Sequence, residues 1–175
     1  MLQDWTLPII AALMLVGAAA LIAAAAHDIV ARTVPDWISV LLTSIGVLVR
    51  AMDQNLIIGL LVAAAVFCAV AFCWRRGWVG GGDVKLIGAT ALIVPPASVL
   101  SFIAAMSIAG SVLALLYLAA GPLARSGQRT KKSFDVRYDD MLSRIVRVEL
   151  WRIRRGGSLP YACAIAAGFL FTIIT

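Results

Sequence analysis

LIGATALIVPPASVLSFIAAMSIAGSVLALLYLAAG, residues 86–121, runs for 36 positions without a charged side chain. As one α-helix it would be about 54 Å long, against about 30 Å of bilayer hydrocarbon. Pro95-Pro96 resolves the excess. Neither proline offers an N–H, and each drives the residue before it out of the helical region. The run therefore reads as two helices, a short one near 84–94 and a long one over about 97–120.

Further apolar stretches lie on either side. Leu7–Ala26 and Leu56–Trp74 carry no charge, and each matches the ~20 residues that one crossing needs. Pro35–Met52 and Leu159–Thr175 are somewhat shorter. Pro35 suits a helix start, and Asp36 beside it meets the positive end of the helix dipole. These stretches make six crossings, near 7–26, 35–52, 56–74, 84–94, 97–120 and 159–175, in a single domain over residues 1–175.

The basic residues test that number. With six crossings, Arg32, Arg75, Arg76, Lys85 and the ten Lys and Arg residues from Arg125 to Arg155 fall on one side, and Arg50 alone on the other. The positive-inside rule makes the crowded side cytoplasmic and leaves both termini outside. Five crossings would move the ten-residue basic cluster to the face opposite Arg75 and Arg76. The expected fold class is an all-α polytopic membrane protein of about six transmembrane helices.

Composition agrees. The chain is 62% hydrophobic and 14% charged, where about a quarter charged is ordinary for a soluble domain. Mean hydropathy is +0.98. The net charge of +6 follows topology and anionic lipid, so nucleic acid is not expected as a partner. Cys68, Cys73 and Cys163 sit in apolar runs and form no CxxC pair, which argues against a disulfide framework and against a metal site. MLQDWTLP has no basic n-region, so a cleaved signal peptide is not expected. Trp5, Trp37, Trp74 and Trp78 fall near span ends, as an interfacial aromatic belt does.

The topology brings two acids to one boundary. Asp28 lies just past the cytoplasmic end of the first span, and Asp83, 55 positions later, just before the fourth. Two carboxyls at a partly dry interface cannot both ionise cheaply, so one keeps its proton. Such a pair can act as general base and general acid on water and a peptide carbonyl. Ahead of Asp83, Gly80, Gly81 and Gly82 allow positive φ and close approach of a substrate backbone. Lys85 is expected to orient the carboxylate or to bind lipid phosphate. His27 reads as a helix-end residue facing headgroups, with proton shuttling as the alternative. A P-loop would need Gly-Lys-Ser/Thr where Gly82-Asp83 stands, and a dinucleotide fingerprint would need glycine in place of Lys85.

GGGDVK resembles the GxGD signature of membrane aspartyl proteases, with Gly80, Gly82 and Asp83 in the defining positions. AHDIVARTVPDWIS, residues 26–39, resembles the first-aspartate region of type IV prepilin peptidases. SLPYACAIAAG, residues 158–168, resembles their Pro-Tyr-containing last helix. The resemblance implies an aspartic endopeptidase that removes prepilin or pseudopilin leaders at the cytoplasmic face of the cell inner membrane. Asp28 and Asp83 would be catalytic, and no cofactor and no metal is implied. The chain lacks the cysteine-rich insert associated with N-methylation, so that second activity is not expected. Its small size resembles the peptidases of tight-adherence (Flp) pili.

Residues 125–158 interleave basic and apolar positions, consistent with a cytoplasmic amphipathic helix on the anionic inner leaflet. Docking of substrate or of pilus assembly proteins is the alternative use of this segment. Two other functional classes compete with the enzyme. One is a small proton- or cation-coupled transporter or channel subunit, which would place acids near the midplane and show internal repeats. The other is a non-catalytic secretion scaffold.

Overall fold

The computed structural model describes residues 3–126 and 159–175, and the described elements are helical throughout. They are α1 (Gln3–Ala31), α2 (Asp36–Met52), α3 (Leu56–Arg75), α4 (Gly81–Ile93), a 3₁₀ turn (Pro96–Ser98), α5 (Val99–Ser126) and α6 (Tyr161–Ile174). Thr6–Ala31, Leu56–Arg75 and Pro96–Ala119 are long and apolar enough to cross a membrane, and α6 is a shorter apolar helix. The protein is an all-α membrane protein. Beyond its first two residues, the basic segment 125–158 lies outside the described residues.

Local chemistry explains where the helices stop. α2 ends in a Schellman motif. Gln54 takes the left-handed conformation (φ 55°), Asn55 N–H donates to the Arg50 carbonyl (3.1 Å) and Gln54 N–H to Ala51 (3.4 Å). α3 ends in the same way, with Gly77 at φ 76° and Trp78 N–H on the Cys73 carbonyl at 3.1 Å. α4 stops where the proline pair requires. Val94 N–H still reaches Thr90 (3.1 Å), and after Pro95 and Pro96 the chain makes one tight turn into α5.

The packing is that of a chain in lipid. Large apolar side chains on α1, α2, α3 and α5 are exposed, among them Leu15, Val40, Leu61, Leu100 and Leu115. The contacts between helices use small residues, because lipid tails give no hydrophobic reason for large ones to pair. Ala18 and Ala24 of α1, Ala63 of α3 and Ala162, Ala164 and Ala166 of α6 are buried. At Gly168 a Cβ would come within 2.8 Å of the Met106 backbone, so α5 and α6 meet at a distance only glycine permits. α4 is the central element. It packs on α2, α3 and α6, and Leu86 to Ile93 are buried in unbroken succession.

Candidate active site

α1 continues through the boundary that the apolar run suggested. It ends at Ala31 instead of Ala26, so Asp28 stands in its last turn. Arg32 then takes the left-handed conformation (φ 57°) and donates its N–H to the Asp28 carbonyl at 2.9 Å. His27 Nδ1 donates to the Thr33 carbonyl at 2.6 Å and ties down the link to α2.

The Asp28 side chain is only 7% exposed. Its Oδ2 accepts the backbone N–H of Ala162, in the first turn of α6, at 3.3 Å. The positive end of that helix therefore faces a carboxylate. Chain contacts 134 residues apart hold this acid in place.

Asp83 is held differently. Gly80 is the residue before α4, with φ −71° and ψ 145°, and Asp83 lies three positions on. The Gly80 N–H donates to the Asp83 carboxyl, which is one half of a capping box. A Cβ on Gly80 would stand 2.9 Å from Asp83 Oδ2. A side chain at this position would make the Asp83 carboxyl shift. The expectation of positive φ over Gly80–Gly82 is corrected: α4 already begins at Gly81, and the positive-φ glycine among the described residues is Gly77. Gly82 has only Val34 near its missing Cβ, at 3.9 Å, and faces the cavity.

Both acids line one cavity of about 760 Å³, large enough for a peptide-sized ligand. Gly80, Gly81, Gly82 and Lys85 also line it. Asp83 precedes the apolar part of its helix. Loss of water around it, and then the negative charge of Asp28, push its carboxyl up to about 6, while the Gly80 hydrogen bond pulls the other way. A shared cavity and mutual repulsion are what a proton-sharing carboxyl pair requires.

Lys85 does not contact the pair. Its Nζ meets Asp36 Oδ1 at 2.9 Å, in an exposed ion pair that joins α4 to the start of α2 at the cavity wall. Its orienting role is therefore on Asp36. Trp37, Trp74 and Trp78 are exposed near helix ends. Among the described residues no three His, Cys, Asp or Glu side chains gather as metal ligands would.

Three contributions escaped the sequence reading. The Ala162 amide has no side-chain signature. Tyr161, which also lines the cavity, was quoted only within the Pro-Tyr resemblance of the last helix and was given no role there. Arg32 donates to Tyr117 Oη on α5 at 3.3 Å, a pairing that sequence spacing does not show.

The class of molecule defined here is a helical membrane protein with two interacting carboxyls, Asp28 buried and Asp83 half-buried, on one peptide-sized cavity. A family model agrees: that of the type IV leader peptidase family matches residues 15–115, which contain both acids. The chain belongs to this family and is a prepilin leader peptidase. No curated protein and no solved structure matches it.

Proposed function

We propose that the enzyme is an aspartic endopeptidase and that Asp28 and Asp83 are its catalytic pair. Two carboxyls from separate helices, one buried and one half-buried, lining one cavity and repelling each other, carry this reading. Asp28, held by the α6 amide, acts as the ionised base, and Asp83 as the protonated acid. Asp28 takes a proton from water as its oxygen attacks the scissile carbonyl carbon. Asp83 gives its proton to the carbonyl oxygen. Collapse of the tetrahedral species returns that proton to Asp83 and moves the proton on Asp28 to the departing amine nitrogen.

The substrates are Flp-type prepilins or pseudopilins, in keeping with the small size of the chain. Cleavage proceeds without N-methylation, since the cysteines are confined to Cys68, Cys73 and Cys163 in apolar helices. The enzyme sits in the cytoplasmic membrane with six crossings, both termini outside and its site facing the cytoplasm. The distribution of basic residues supports that orientation. The basic segment 125–158 lies on anionic lipid and offers a surface for assembly proteins.

The test is cleavage of a prepilin by the purified, reconstituted chain, read as the mass of the product. Asp28→Asn and Asp83→Asn should each lower the rate by at least about 10³-fold while the protein still inserts. Normal cleavage by either variant rules out the pair.

A further inference from the structure

The first turn of α6 bonds to Asp28 and lines the cavity that both acids share, and it lies outside the segment matched by the family model. Its Ala162 amide is on Asp28. Its Tyr161 side chain lines the cavity that Asp28 and Asp83 also line. The ring is also seated. A Cβ on Gly110 of α5 would come within 2.9 Å of Tyr161 Cε2 and 3.2 Å of its hydroxyl, so the glycine makes the space in which the ring lies. Among the described residues the hydroxyl has no hydrogen-bond partner, so its proton is available to a ligand.

Peptide hydrolysis puts negative charge on the carbonyl oxygen as water adds. A carbonyl oxygen has two lone pairs and accepts two donors. Asp83 supplies one. A second, fixed in advance in a water-poor cavity, lowers the barrier most when its bond strengthens only as the charge develops. Tyr161 meets these conditions: it is a neutral donor, held by packing and located on the same cavity as the acid that gives the first proton.

We propose that Tyr161 is a third catalytic group of this peptidase, its hydroxyl donating to the scissile carbonyl oxygen as the tetrahedral species forms. This rests on the assignment of Asp28 and Asp83 as the pair.

The experiment compares full-length Tyr161→Phe, Gly110→Ala and Asp83→Asn in liposomes, with kcat and KM measured on a prepilin. Tyr161→Phe keeps the ring against Gly110 and should retain the thermal midpoint. Its kcat should fall on the order of 10²-fold, with KM within about twofold of the parent. Gly110→Ala displaces the ring and should lower kcat in the parent, with little further loss when added to Tyr161→Phe. A parental kcat for Tyr161→Phe, or a change confined to KM, overturns the proposal while an inactive Asp83→Asn leaves the pair intact. An active Asp83→Asn removes the pair itself.

Discussion

The two ends of α4 treat buried charge in opposite ways. At its start, Asp83 and Asp28 line one cavity and repel each other, with Lys85 turned to Asp36. At its finish, Arg50 of α2 is 2% exposed and paired through both terminal nitrogens, while its Nε has no partner among the described residues. It gives one hydrogen bond to Asp53 (2.9 Å) and another to the Ile93 carbonyl (3.1 Å), at the end of α4. Gly59 of α3 leaves space for the arginine stem, since a Cβ there would lie 2.8 Å from Arg50 Cγ and Cδ. A helix of thirteen residues that stops inside the protein leaves its last carbonyls unbonded, and a buried guanidinium is one of the few groups able to serve them. One end is thus closed by an opposite charge and a backbone carbonyl that share one guanidinium. The other is left in tension, which is the condition for chemistry.

That contrast can be broken at the Arg50 end with the largest effect on stability. Arg50→Ala strands the Ile93 carbonyl and leaves Asp53 with the Asn55 amide in place of its charged partner. It should cost about 2–4 kcal/mol in unfolding assays, with part recovered by Arg50→Lys. An unchanged midpoint would mean that the clamp is ornamental.

At the other end the sign reverses. The carboxyl of Asp83 is raised in the folded protein, so the native state binds the extra proton between the ordinary carboxylate range and about pH 6. Stability attached to this group is therefore present at low pH and lost as pH rises through about 6. Asp83→Asn, which cannot ionise, should raise unfolding free energy by about 1 kcal/mol at pH 7.5 and by nothing at pH 4, although it is inactive. The parent's kcat/KM should fall as pH rises through about 6, because the acid loses its proton.

The smallest effect belongs to the exposed pair at the cavity wall. Lys85→Ala should change stability by less than about 0.5 kcal/mol, and salt should remove most of the difference.

Why some of this was legible in the sequence, and some not, follows from the kind of interaction involved. Helices announce themselves through uncharged length, and Pro95-Pro96 marks the end of α4 because a missing N–H is a local property. Asp28 and Asp83 could be paired because the topology expected from the basic residues put their helix ends on one face, and both acids do line one cavity. The Ala162 amide, the Arg50 bond to Ile93 and the Tyr161 seat on Gly110 depend on helix rotation. In a chain whose lipid face and core are equally apolar, hydrophobic periodicity carries little information about rotation. Arg50 was still visible as the lone basic residue on the sparse side.

The central claim is that α1 and α4 deliver two carboxyls to one site within reach of a shared water. Proximity can be measured without any substrate. Asp28→Cys and Asp83→Cys are combined in a chain whose Cys68, Cys73 and Cys163 are replaced by alanine, then treated in membranes with a short bifunctional thiol reagent. An intramolecular bridge, seen as one added linker in the intact mass and absent from both single-cysteine controls, is the predicted result. Two thiols that each react singly and never bridge would contradict it.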